Sequence, residues 1–511
     1  MKPTHLLVRC LGTLLLLLAT LSPLPAPAAD GAAAAGGGFS GLAPCHVPGI
    51  RSEVQCGTIE RALDPQQPAG GNKTIRLRIV VVPALARVKA PDAMFFLAGG
   101  PGQSAVAIAP MMTQLFARLN NRRDLVFVDQ RGTGGSAPLD CPIDDDRLAP
   151  LADMMDQTRL LARLSACLAE LQRRPHGDLR FYTTSIAMAD LDAVRAALGY
   201  PRINLVGASY GTRAALEYLR QFPQHVRRVL LDGVAPPDMV LPQSFAVDNQ
   251  AALEQVFDHC ARDPACARRH PDLRGQWQAL LARLPLTVRL AHPVTGREEQ
   301  VTIGAAGLAS LVRAPLYAPA LAAALPQALV EAAQGRFEAL VGLGVALGGG
   351  SSALALAWGM HFAVVCAEDF PRLDPAAAAP GAAGESFSGL YRRICPQLPR
   401  AAVPAAFYTV PPSPVPVLLL SGGADPATPP RHGERVARAL GAKAQHLVVP
   451  QAGHGVMALG CARDLLQRFF VAEAESDALP QDGACVQRIP RPLPYLGPAA
   501  GASAAREGPR S

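Results

Sequence analysis

The sequence predicts an α/β fold, a mostly parallel sheet with helices on both faces, interrupted by a mainly helical insertion. Three observations carry this. Short apolar runs that end in glycine-rich or polar turns recur along the chain: "DAMFFLAGG", "DLVFVDQRG", "INLVGAS", "VRRVLLDGV" and "VPVLLLSGGADPATPP". Strands buried on both faces of a parallel sheet read this way, and helix-like segments separate these. The alternation stops from about Asp238 to Pro412, where the chain is mostly helix-like, and then resumes. With 511 residues, half of them apolar and only 17% charged, the chain can bury a large core.

Taken in order, residues 1–29 have the layout of a secretory signal peptide. Lys2 and Arg9 precede the apolar "LGTLLLLLATL", and Ala26 and Ala28 set up cleavage after Ala28 or Ala29. The apolar run is short for a bilayer span, so no stable membrane insertion is expected. Residues 30–44, "DGAAAAGGGFSGLAP", read as a flexible linker. The first part of the core is expected over 45–237. It contains "TIRLRIVVVPAL" as a strand at the edge of the core and helices around 104–119, 147–173 and 185–198, with a further helix from Tyr210. A mainly helical lid follows over 238–412, with "LTVRLAHPVTGREEQVTI" as a hairpin inside it. The second part of the core covers 413–485, and residues 486–511 read as a disordered tail.

Cysteine usage agrees with export. Beyond Cys10 there are ten cysteines, an even number that suggests disulfides in an oxidising compartment. Neighbour pairing is the simplest arrangement: Cys45–Cys56, Cys141–Cys167, Cys260–Cys266, Cys366–Cys395 and Cys461–Cys485. No CxxC or HExxH spacing is present, so no metal is expected, and nothing implies another cofactor. The net charge of +7 comes from scattered arginines rather than a basic run with interleaved aromatics, which argues against nucleic acid. Oligomeric state is not legible.

The chemistry starts at "LVGASYGTRAA", residues 205–215. An apolar strand running into G-x-S-x-G and then a helix suggests a sharp turn that lifts the Ser209 hydroxyl above the sheet edge. In a glycine-rich chain the same string could be a soft turn with an incidental serine, so the rest of the chain has to decide. A serine hydroxyl becomes a useful nucleophile only when a base takes its proton and a carboxylate orients that base. Both partners follow in order: Asp425 in a turn after one apolar strand, and His454 in the glycine-flanked loop after the next. His432 opens a helix and His446 starts a strand, so neither competes. An oxyanion needs backbone donors. The Tyr210 N–H, next to the nucleophile, is one candidate, and "LAGGPGQSA" offers the Gly100 N–H, with Gly99 as its alternative.

Taken together, "GGPG", "DQRGTGGS", "GASYG", "GGADPATP" and "GHG" resemble the prolyl aminopeptidase family of α/β-hydrolases, most closely its exported tripeptidyl-aminopeptidase-like branch. The likeness runs from about Cys45 to Cys485. It implies Ser209 as nucleophile, Asp425 as orienting acid and His454 as base. Many relatives have histidine where this chain has Ala98, a difference that bears on subgroup rather than class. Asp129 and Arg131 in "DQRG" read as turn architecture.

The function expected is an exported serine exopeptidase releasing residues or short peptides from free N-termini. An exported esterase or other acyl hydrolase with the same triad is the alternative, and a non-catalytic binding protein on this scaffold is a third. A free-amine substrate needs a fixed anion in a partly dry cleft. "ALAWGMHFAVVCAEDFP" ends an apolar helix on Glu368 and Asp369, where acids oppose the helix dipole. This pair, Glu368 foremost, is the expected amine site, although Asp369 could simply cap the next turn.

Overall fold

The computed structural model describes residues 39–67, 73–141, 149–346, 355–374, 384–480 and 482–497. The signal-peptide reading of residues 1–29 and the tail from 498 onward lie outside the described residues.

Strands β1 (Phe39–Cys45), β2 (Val54–Ala62), β3 (Thr74–Val82), β4 (Met94–Leu97), β5 (Leu125–Val128), β6 (Ile203–Ala208) and β7 (Val226–Asp232) precede the insertion. The hairpin β8 (Leu286–Ala291) and β9 (Glu298–Ile303) lies within it, and β10 (Val417–Gly422) and β11 (Ala444–Val449) follow. Nine of these form one sheet in the order β1-β2-β3-β5-β4-β6-β7-β10-β11. The three edge strands are antiparallel, and from β5 to β11 every pairing is parallel. Parallel strands bring their carboxyl ends to one edge, where functional loops gather.

Alternating side chains divide between two cores. Phe95, Val126, Leu205 and Leu231 face one side, while Phe96, Phe127, Val206 and Leu230 face the other. A third core, built on Trp277, Leu308 and Leu329, belongs to the insertion and the β8–β9 hairpin.

The helices that matter for the site are α1 (Ala105–Leu115), α2 (Gln157–Gln172), α3 (Thr184–Ala197), α4 (Tyr210–Gln221), α5 (Leu241–Arg262), α6 (Ala305–Leu316) and α7 (Trp358–Glu368). Ser104 caps α1 by accepting from Ala107 N–H, and Thr183 caps α3 by accepting from Ile186 N–H. The single helix expected near 147–173 is two. It breaks at Asp156, whose carboxylate accepts from Thr158 and Arg159 N–H and so starts α2 afresh.

Three expectations need correction. Most of Phe39–Cys45, residues 39–44 of which are expected in the linker, is not loose chain but an edge strand paired with β2. Its exposed, glycine-containing sequence lacks an apolar face, and the ladder with Val54–Ala62 holds it instead. Consequently Thr74–Val82 is not at the edge but third from it. The expected tail starts inside a 3-10 turn over Ala484–Arg488 with Val486 buried, and Tyr495 N–H donates to Ala323 O at 2.9 Å. The insertion also packs on the sheet: Met360, Phe362, Val364 and Val365 of α7 join the core on one of its faces.

All five neighbour disulfides form. Unstrained short-loop bridges each contribute roughly 2–4 kcal/mol. Non-reducing peptide mapping of protein from an oxidising compartment should recover these five pairs; ten free thiols would contradict them. Among the described residues no helix is long and apolar enough to cross a membrane.

Candidate active site

Ser209 lies between β6 and α4 with φ 56° and ψ −123°. A left-handed backbone at a non-glycine residue costs on the order of 1–3 kcal/mol, so it persists only where its surroundings enforce it. Here they do. Ser209 N–H donates to Asp232 O (2.9 Å), and Ser209 O accepts both Thr212 N–H (2.9 Å) and Thr212 Oγ1–H (2.6 Å). The flanking glycines are required by contact: a Cβ on Gly207 would lie 2.4 Å from Gly211 O, and one on Gly211 would lie 2.0 Å from Leu97 O. The turn therefore leaves a partly exposed serine at the carboxyl edge of the sheet.

His454 comes to this edge from the loop after β11. Its Nδ1–H donates to Asp425 Oδ2 at 2.8 Å, which leaves Nε2 as the basic atom. Asp425 is 2% exposed, and its remaining capacity is filled by Ala427 N–H (2.8 Å), Thr428 N–H (2.9 Å) and Thr428 Oγ1–H (2.8 Å). Burial alone would raise the Asp425 pKa, but His454 and these donors hold it below the usual carboxylate value. Burial likewise pulls His454 down, yet the Asp425 charge and hydrogen bond outweigh it and leave the imidazole above its ordinary pKa.

The loop carrying His454 is gripped from two sides. Its N–H groups at Val456 and Met457 donate to the Asp232 carboxylate at 2.9–3.0 Å. From the insertion, Tyr317 O accepts His454 N–H at 3.0 Å, and the Tyr317 ring stands edge-on to the imidazole with centroids 5.2 Å apart. Sequence reasoning singled out neither residue. Asp232 had a visible signal, an acid ending the apolar strand of "VLLDGV"; Tyr317, remote in sequence, had none.

On the other side of Ser209 runs the Gly99–Gly102 loop. A Cβ on Gly99 would sit 3.2 Å from Ser209 Cβ, so the loop lies against Ser209. Gly99 N–H donates to Gln103 Oε1 (3.0 Å), which removes Gly99 as an alternative donor. The N–H groups of Gly100 and Tyr210 meet no protein acceptor among the described residues. Gly100 has φ +109°, open to glycine alone. Asp129 anchors the loop by accepting from Ser104 Oγ–H, Val106 N–H and Gly135 N–H. Arg131 spans Asp190 and the carbonyls of Ala62, Leu63 and Phe181. Both residues are occupied as architecture. The insertion touches this loop as well: Ala357 N–H donates to Gly102 O, and His361, a buried imidazole pushed down to about 4 by desolvation, bonds Pro101 O and Tyr391 Oη.

Glu368 and Asp369 do not face this cleft, a correction to the expected amine site. They are 1% and 0% exposed. Asp369 accepts from both terminal nitrogens of Arg213 at 3.1 Å and from Leu241 N–H at 3.4 Å. Glu368 accepts from Thr184 N–H (2.7 Å) and Thr184 Oγ1–H (3.0 Å) and lies 3.5 Å from Arg213. The acids at the end of α7 thus have a buried cation on α4, which the isolated helix sequence could not reveal. Thr184 Oγ1 also meets Tyr210 Oη at 2.6 Å, so the cluster sits behind the first turn of α4 rather than above Ser209.

A family model described as the alpha/beta hydrolase fold matches residues 92–460. The chain belongs to the α/β hydrolase fold family. Within it, the chain is 34% identical over 195 residues to a tripeptidyl aminopeptidase of Streptomyces lividans, covering 36% of each chain. It is 26% identical over 316 residues to the serine protease Hip1 of Mycobacterium tuberculosis, covering 56% of this chain and 58% of that one. A carboxylesterase B of Mycobacterium tuberculosis is 29% identical over 227 residues, 42% of this chain and 43% of its own. The matches therefore span about a third to three fifths of these relatives' lengths. Ser209 directly follows β6, and Asp425 and His454 lie in the loops that follow β10 and β11.

Proposed function

We propose that the protein is an exported serine exopeptidase that removes residues or short peptides from free N-termini through an acyl-enzyme. Ser209 Oγ attacks the scissile carbonyl as His454 Nε2 takes its proton; Asp425 orients the imidazole and stabilises the imidazolium that forms. The oxyanion is received by the N–H groups of Gly100 and Tyr210. His454 then returns the proton to the leaving amine, and water repeats the cycle on the acyl-enzyme.

The observation that carries the exopeptidase reading is the reach of the insertion. It touches the base through Tyr317 and the Gly99–Gly102 loop through Ala357, bounding the nucleophile on two sides. A bounded cleft favours a chain end over a continuous chain. The name of the Streptomyces relative supports the same substrate class, peptides with a free N-terminus. Export rests on the leader-like N-terminus and the five bridges.

The second reading, an esterase, is favoured by the burial of Glu368 and Asp369, which leaves the expected anion for an ammonium already paired, and by the carboxylesterase relative. A panel of chromogenic amides of one, two and three residues, with free and acetylated N-termini, beside short-chain esters, decides between them. Turnover confined to free-amine peptides is expected. Equal hydrolysis of blocked and free peptides would end the aminopeptidase reading.

The base also sets the pH response. His454 must be neutral to accept the serine proton, and its protonated form is stabilised by Asp425, so its pKa lies above the ordinary 6.5. Activity is therefore expected to be full at higher pH and to fall as pH drops through a value above 6.5. A kcat/KM profile with its acid limb well below that value would contradict the assignment.

A further inference from the structure

Asp232 is a buried carboxylate, 1% exposed, at the carboxyl end of β7, one strand over from the nucleophile. Its backbone and side chain serve opposite ends of the site. The carbonyl accepts Ser209 N–H at 2.9 Å. The carboxylate accepts Val456 N–H on both oxygens (3.0 Å each) and Met457 N–H on Oδ2 (2.9 Å), two and three residues beyond His454. Among the described residues no side chain donates to it, and its donors are these loop amides. We propose that Asp232 is a positioning residue for the base: it fixes the His454 loop against the strand that also holds Ser209, and it adds a second negative charge behind the imidazole. The inference rests on the reading of Ser209 and His454 given above.

The titratable groups facing Asp232 are His454 and Asp425. The strands on either side, Ile203–Ala208 and Val417–Gly422, contain no ionisable side chain, and Arg213 on α4 is engaged by Asp369. Burial raises the Asp232 pKa to about 6, the loop amides and His454 acting against that rise and Asp425 adding to it. Above about that pH the group is charged. When Ser209 gives its proton to His454, the imidazolium then feels two carboxylates, of which only Asp425 touches it. Removing the second charge lowers the affinity of His454 for its proton. A misplaced loop, by contrast, reduces turnover without that shift.

The test is Asp232→Asn in the full mature chain, assayed on the best substrate of the panel beside Ser209→Ala. The asparagine is isosteric and keeps one acceptor for the amides while losing the charge. The expected result is a fall in kcat of about tenfold to a hundredfold with KM nearly unchanged, since small displacements of a reacting group cost this much. The acid limb of kcat/KM should also move to lower pH by about half a unit or more, because one stabilising charge is gone. Asp232→Ser, which lacks the charge but has room for a water to meet the amides, is the second variant and should move the limb the same way. A folded variant with wild-type kcat and an unmoved acid limb overturns the proposal. An active Ser209→Ala protein would instead sink the hydrolase reading itself, so the two failures are distinguishable.

Discussion

Ser209→Ala is expected to cut turnover of peptide and ester substrates by about a thousandfold to a millionfold while the protein stays folded. The hydroxyl makes no hydrogen bond among the described residues, and the turn is held by its backbone, through Asp232 O and Thr212. Alanine at φ 56° meets the same backbone cost as serine, so the melting temperature should hardly change. A serine-directed phosphonylating reagent should label Ser209 in the wild type and nothing in the variant. Turnover close to wild type in Ser209→Ala, or labelling at another serine, would refute the nucleophile.

The second large effect is on stability. Arg213 is fully buried between Asp369 and Glu368 and also donates to the carbonyls of Pro236 and Met239. Arg213→Met leaves two carboxylates without a cation in a dry site, and breaking such a buried pair costs about 3–5 kcal/mol. Glu368→Gln should behave in the opposite way. Burial lifts the Glu368 pKa to about 7, with Arg213 and the Thr184 donors acting against the rise. A carboxyl raised in the folded state contributes stability that is complete below the unfolded value of 4.5 and is lost as pH rises through about 7. The amide is neutral at every pH, so Glu368→Gln should match or exceed the wild type at pH 8, and the gain should vanish near pH 5. Denaturant melts of both variants at the two pH values check this. An Arg213→Met protein as stable as wild type, or a Glu368→Gln protein destabilised chiefly at pH 8, would contradict the charge balance described.

The contrast between Ser209, Asp425 and His454, which the structure brings to one edge, and the acid pair shows which physical signals survive in a linear sequence. Ser209, Asp425 and His454 were legible because each follows a buried strand directly, and the strand order alone brings their turns to one edge. Glycine spacing added a steric reason that the contacts of Gly207 and Gly211 bear out. The role of Glu368 and Asp369 was misread for want of a partner: Arg213 lies over 150 positions away, and a helix sequence does not say which face a distant helix covers. The edge strand Phe39–Cys45 was missed for a related reason. It has no apolar alternation of its own, and it exists because β2 offers an unpaired edge. Tyr317 was invisible because its contact with the base depends on how the insertion folds back.

The five cross-links have a consequence for biogenesis. Each joins a cysteine to the next one along the chain, over separations of 11, 26, 6, 29 and 24 residues. A polypeptide threaded N-terminus first into an oxidising space would therefore present each pair complete before the first thiol of the following pair emerged. Oxidation in order of arrival yields the native set, with little call for an isomerase to undo scrambled bonds. Because none of the bonds joins the insertion to the sheet segments on either side, the two halves of the sheet must find each other through packing and strand pairing alone, after β10 and β11 have arrived.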